Sequence, residues 1–257
     1  MSRIVSVHSF RGGTGKSNLT ANLSATIAQK GYRVGVIDTD IQSPGIHVLF
    51  GMDEEKMDRS LNDYLWGKCA IEETAYDVTP VLHVGRGSVA VMGGGIYLIP
   101  SSIKAGEIAR ILREGYDVGM LNDGFRDLVE RLKLDYLLID THPGLNEETL
   151  LSIAISDALI IILRPDQQDF QGTAVTVDVA RRLEVPKMML VVNKVLSSFD
   201  MEAVRQEVSK TYNAYVAAVL PLAEDMIRLG SRDVFCLRFP DHPLTQRIQD
   251  IAAQIMA

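Results

Sequence analysis

The chain has 257 residues, 47% of them hydrophobic, with a formal net charge of −7 and a pI of about 5.3. That length allows one large domain or two small ones, an α/β fold of this size being ordinary, and the apolar content allows a sizeable core. The acidic balance excludes binding to nucleic acid through the overall field, so any such affinity must come from a local patch. Cys69 and Cys236 stand alone with no C-x-x-C, which speaks against a metal cluster or disulfide framework and for free thiols in a reducing compartment. No run of 18 apolar residues is present, and the N-terminus opens into a strand without a signal peptide's regions, so a cytoplasmic protein is expected.

Arg3 to Phe10 is a β-branched run that predicts the first strand, and Leu19 to Gln29 predicts the first helix. Between them lies Arg11-Gly12-Gly13-Thr14-Gly15-Lys16-Ser17-Asn18. Strand, glycine cluster and helix in that order form a phosphate-binding loop: glycines let successive N–H groups turn inward on an anion, and the helix adds its positive end. Lys16 is placed to reach β- and γ-phosphates, and the Ser17 hydroxyl to ligate Mg²⁺. The strict pattern G-x-x-x-x-G-K-[ST] fails at its first glycine, which here is Phe10.

Gly31 closes the helix, and Val34 to Asp40 predicts a buried strand ending in Asp38 and Asp40, at the edge where open α/β sheets hold ligands. Carboxylates there can hold a metal-bound water or position an attacking one. A short helix follows at Ile46–Gly51 and another after Ser60, and Val89–Val91 and Ile96–Pro100 predict a hairpin around Gly93–Gly95. His47, His83 and His142 lack metal-ligand spacing and are expected to be structural or surface residues. One helical stretch over about 103–132 leads to Leu134–Asp140, an apolar strand whose terminal Asp140 suits orientation of Mg²⁺. Further strands over Ala158–Leu163, Lys187–Val192 and Ala214–Leu220 alternate with helices over 170–183 and 201–210. The alternation predicts a single-domain, mostly parallel sheet with helices on both faces. Asn193-Lys194-Val195-Leu196 lacks the aspartate with which a guanine site would pair the ring N–H and amine, so adenine is favoured. The tail carries Leu244, Ile248, Ile251, Ala252 and Ile255 on one helical stripe with Arg247 as its sole basic residue, which fits packing on the sheet better than docking on a membrane.

The segment from Arg11 to Ser17 resembles the deviant Walker A loop of the ParA/MinD ATPases, Lys-Gly-Gly-x-x-Lys-Ser/Thr. Asp38-Thr39-Asp40 resembles the start of that family's switch I, and Asp140 with Pro143 and Gly144 its switch II. The resemblance covers nearly the whole chain and implies a slow, partner-stimulated ATPase that binds ATP and Mg²⁺ between two protomers of a homodimer. It implies that Arg11, at the signature-lysine position, crosses to the partner's nucleotide, and that Lys16 and Asp40 serve hydrolysis. Asp38 and Asp140 belong with Ser17 in the magnesium environment, and Asn193 and the loop from Pro221 line the adenine pocket. ParA-type proteins bind DNA nonspecifically through C-terminal basic residues, for which Arg228, Arg232, Arg238 and Arg247 are the candidates. The implied role is to position plasmids, chromosomes or protein organelles over the nucleoid, with an adaptor protein stimulating turnover. The missing signature lysine is similar to the McdA proteins that space carboxysomes. A membrane-recruited MinD-like regulator of division or flagellar placement is the alternative. A metabolic P-loop ligase and an iron–sulfur carrier are more distant ones.

Overall fold

A computed structural model of the chain describes residues 2–83 and 93–257. β1 (Arg3–His8), α1 (Lys16–Ala28) and β2 (Arg33–Asp38) open it in the predicted order. α2 (Ile46–Leu49) and α3 (Leu61–Leu65) follow, and α3 starts where the Asp63 carboxylate accepts the Ser60 backbone N–H at 3.1 Å. Then come β3 (Tyr76–Asp77) and β4 (Gly95–Ile99). Of the expected hairpin, Val89–Val91 lies outside the described residues, and β4 pairs in parallel with β2 and antiparallel with β3. The helix expected over 103–132 is two helices, α4 (Ala105–Glu114) and α5 (Gly119–Arg131), because Gly115 takes φ 68° and ends the first turn-run.

The second half alternates without exception: β5 (Tyr136–Asp140), α6 (Glu147–Ala154), β6 (Ala158–Leu163), α7 (Gln167–Arg182), β7 (Lys187–Val195), α8 (Met201–Tyr212) and β8 (Val216–Pro221). α9 (Glu224–Leu229), α10 (Phe235–Arg238) and α11 (Pro243–Met256) close the chain. β7 runs past its expected end at Val192, through Asn193 and Lys194, where Lys194 takes φ 59° and the register with β8 shifts.

Among the described residues, eight strands form one sheet in the order β3-β4-β2-β5-β1-β6-β7-β8, parallel throughout except for β3. A parallel strand covered on both faces needs apolar residues at every position, and β6, Ala158 to Leu163, is buried at all of them. Ile160 and Ile162 join α1 and α11 in the core on one face. Leu159, Ile161 and Leu163 join α7 and α8 on the other. The apolar stripe of α11 is fully committed to that first core, with Ile251 and Ala252 at 0% exposure, as the sequence predicted.

Candidate functional site

Register decides which side chains meet at the carboxyl edge. Val7 lies opposite Asp140 on β5, and Asp140 lies opposite Asp38 on β2. The loop from Ser9 to Gly15 leaves the neighbouring end of β1 and feeds directly into α1. Gly13 and Gly15 take φ of 75° and 105°, a region costly for any residue with a Cβ. Gly15 also lies against Asn193: a Cβ there would stand 2.6 Å from Nδ2, so that amide would have to shift. The end of β7 braces the loop: Asn193 Nδ2 donates to Thr14 O at 2.8 Å and Lys194 Nζ to Gly13 O at 2.7 Å. Lys16 is buried, its Nζ donating to Ser9 Oγ at 3.3 Å, and the Thr14 hydroxyl is buried without a partner. Burial lowers the Lys16 pKa, against the opposing pull of Asp140, Asp40 and Asp38.

Three carboxylates face that one lysine. Asp38 is wholly buried and accepts the backbone N–H groups of Asp40 and Gly45 at 3.0 and 3.1 Å. Burial, then the charges of Asp140 and Asp40, push its pKa well above the usual carboxylate range. Burial pushes Asp140 up to about 6, although the hydroxyls of Ser17 and Thr20 and the charge of Lys16 oppose the shift. Burial raises Asp40 as well, opposed by Lys16 and by His142 whenever its ring is protonated. A surplus of buried negative charge is relieved by a cation, and hydroxyl plus carboxylate oxygens suit a hard one. Ser17 and Asp140 are the pair that could hold Mg²⁺. Among the described residues no group of three or more His, Cys, Asp or Glu is placed to hold a metal unaided, so such an ion needs phosphate oxygens too.

Several neighbours of this cluster gave no signal in the sequence. His8 is fully buried; its Nδ1 lies 2.8 Å from Thr141 Oγ1, which itself donates to Val7 O, so Nδ1 carries the proton and Nε2 is left without a partner. Burial lowers its pKa to about 3, with Lys16 and His142 adding to the effect. His142 was expected to be structural or a surface residue, yet its Nε2 stands 3.8 Å from Asp40 Oδ1. Arg11 is 44% exposed and turns toward its own chain, Nε lying 3.8 Å from Asp169 Oδ1 on α7. Asp169 is also held by Arg164 through a two-pronged contact at 3.0 and 3.2 Å. Phe10 packs its ring on Gly172 of the same helix.

Beside the loop lies a cavity of about 260 Å³ whose walls include Asn18, Asn193, Leu220, Pro221 and Ile248. Asn193 and Pro221, distant in sequence, line this one cavity together, next to Gly15. Arg228, Arg232 and Arg238 share a separate cleft of about 460 Å³ with Asp225 and Asp233. Arg247 sits on α11 and is not among the residues lining that cleft. Arg228 is paired with Glu224 at 3.3 Å and Asp225 at 4.0 Å.

A family model described as NUBPL iron-transfer P-loop NTPase, of the ParA group, matches residues 1–256. An uncharacterized ATP-binding protein of Methanocaldococcus jannaschii is 25% identical over the whole chain and 88% of its own length. An iron–sulfur cluster carrier protein of Methanococcus maripaludis is 30% identical over 192 residues, 74% of this chain and 59% of the carrier. Among solved structures, the septum site-determining protein MinD of Pyrococcus horikoshii, complexed with Mg-ADP, superposes with a TM-score of 0.78. It covers 99% of this chain and 96% of that one at 21% identity, a likeness of fold.

Proposed function

The chain belongs to the ParA family of P-loop NTPases, and from that premise we propose that it is an ATP-dependent, dimerising switch ATPase. The observation that carries this reading is the convergence of the glycine loop, buried Lys16 and three carboxylates on one sheet edge. The loop amides and Lys16 would grip a triphosphate, with Ser17 and Asp140 on Mg²⁺, Asp38 beside them and Asp40 toward the terminal phosphate. Mg²⁺ would neutralise charge on the phosphates and on the carboxylates that burial now strains. Asn18, Asn193 and Pro221 would surround the base. Asn193 gives one of its two amide N–H groups to Thr14 O, and its carbonyl oxygen would accept the exocyclic amine of adenine. Guanine would meet no carboxylate, because position 196 is Leu, at a cost of roughly 1–3 kcal/mol for each unpaired donor.

Arg11 contacts Asp169 of its own chain, so reaching a partner's nucleotide requires that contact to be given up as the homodimer forms. Gly12, Gly13, Thr14 and Gly15 stay with the nucleotide of their own protomer. An adaptor protein would stimulate hydrolysis and release the dimer, and the output would be placement of a cargo, such as a plasmid, chromosome or protein organelle of the carboxysome kind, in the cytoplasm. Nonspecific DNA is the favoured working surface, through Arg228, Arg232 and Arg238 in their shared cleft, with Arg247 apart. Membrane recruitment by α11 is disfavoured because its apolar stripe is already buried. Carriage of an iron–sulfur cluster is disfavoured too: the partly exposed Cys69 has no second cysteine near it in sequence, and Cys236 is 4% exposed, its N–H bonding Asn22 Oδ1 at 2.7 Å and its thiol pushed up to about 12.

Light scattering with and without ATP, on wild type and Arg11→Ala, tests the switch: the reading expects ATP to dimerise wild type alone. Dimerisation of Arg11→Ala equal to wild type would remove the cross-contact. A mobility-shift assay beside liposome co-sedimentation, both with ATP, separates DNA from membrane.

A further inference from the structure

His142 is the one imidazole that borders the carboxylate cluster from the switch side, and two backbone hydrogen bonds of its neighbours and one from a side-chain hydroxyl fix its segment. Thr141 N–H donates to Val7 O at 3.3 Å, Gly144 N–H donates to Ser9 O at 3.2 Å, and the Thr149 hydroxyl donates to His142 O at 3.3 Å. The residue is therefore pinned to β1, to the glycine loop and to α6 at once. Its ring is oriented as well: Nδ1 lies 2.6 Å from Pro143 O, and a carbonyl can only accept, so Nδ1 carries the hydrogen. In the neutral ring Nε2 then presents a bare lone pair, and it faces Asp40 Oδ1 across 3.8 Å. That gap is too long for a direct hydrogen bond, and a water seated beside it can reach both acceptors.

We propose that His142 and Asp40 together orient the water that attacks the terminal phosphate of ATP, which makes His142 a catalytic residue of this site. The inference rests on the ATPase reading above. Two acceptors take both hydrogens of one water, so the oxygen lone pair is turned away from them. In the step that follows, a bond forms between water oxygen and the γ-phosphorus, and the bond from that phosphorus to the β,γ-bridging oxygen breaks. The bridging oxygen leaves with ADP, and of the water's two protons one stays on inorganic phosphate and the other passes to solvent. His142 Nε2 and Asp40 hold the hydrogens during attack.

The test measures ATP affinity by fluorescent-nucleotide titration and turnover by phosphate release, on wild type, His142→Leu and His142→Gln. The proposal expects His142→Leu to bind ATP within about twofold of wild type while kcat falls at least about tenfold. Gln offers an acceptor oxygen at similar reach and should recover most of that loss. Adding Asp40→Asn to His142→Leu should cost little beyond Asp40→Asn alone, since both act on one water. His142→Leu turning over like wild type overturns the inference, as does a parallel loss in Leu and Gln variants or a loss carried by affinity. Wild type that binds no ATP overturns the ATPase reading itself, and the inference with it.

Discussion

Gly172 offers the sharpest test of how the loop is seated. A Cβ at position 172 would stand 2.1 Å from Phe10 Cδ1, 2.4 Å from Cγ and 2.8 Å from Cβ. Rotating the ring cures the first two collisions but not the third, so Gly172→Ala must shift the backbone at Phe10, one residue before Arg11. Overpacking of this kind costs about 1–3 kcal/mol. Replacing glycine by alanine inside a helix returns about 1 kcal/mol, so the net loss in wild type is about 0–2 kcal/mol. In a Phe10→Gly background the collision vanishes and the same change should stabilise by about 1 kcal/mol. Urea unfolding of all four proteins closes the cycle, with a coupling of about 1–3 kcal/mol expected. Alanine stabilising both backgrounds equally would refute the packing of Phe10 on α7, and with it the account of how Arg11 is held.

His8 is buried neutral with its pKa lowered to about 3 from 6.5, so its contribution is fully present above pH 6.5 and is lost as pH falls toward 3. Between pH 7 and 5 wild type should lose about 2 kcal/mol more stability than His8→Leu, measured by urea unfolding at both pH values; equal pH slopes would contradict the burial argument. Asp140 shows the opposite sign, raised to about 6 from 3.8, so its ionised form destabilises the empty protein above pH 6. Asp140→Asn should unfold later than wild type at pH 8 by about 1–3 kcal/mol, with the advantage gone below pH 4 and Mg²⁺-dependent ATP hydrolysis lost. Arg164→Met takes the guanidinium from the buried Asp169 carboxylate, leaving it the backbone N–H of residue 164 at 2.9 Å and the long contact from Arg11. A loss of about 1–3 kcal/mol is expected by thermal unfolding at low salt, Arg164 being partly exposed.

What was legible in the sequence was local. Val5 to Lys16 states strand, turn and helix within a dozen residues, and the apolar run ending in Asp140 states its strand end. β6 was placed at Ala158–Leu163 to the residue, because a strand buried on both faces has no polar position to blur it. The neighbours of β4 were not legible for the complementary reason. Glycines mark a turn but not which strand comes next to it, and β4 takes β2 as neighbour across more than fifty residues of chain. Gly115 was passed over within a helical stretch although its φ of 68° divides it. In the site, Lys16, Ser17, Asp38 and Asp140 announced themselves by type and spacing. His8 and Thr141 did not, since their contact joins residues 133 apart and exists only through the β1–β5 register. His142 and Asp169 are of the same kind: each matters through what faces it from another element.

The central claim is that the Gly13–Ser17 loop and its facing carboxylates bind a magnesium-complexed adenine nucleotide. Isothermal titration calorimetry of the full chain with Mg-ATP, with ATP in EDTA, and of Lys16→Ala with Mg-ATP tests it directly. One site per chain is expected, weakened at least about tenfold by removing either the metal or the lysine's charge-assisted bonds. No heat with Mg-ATP, or equal affinity in all three titrations, would contradict it.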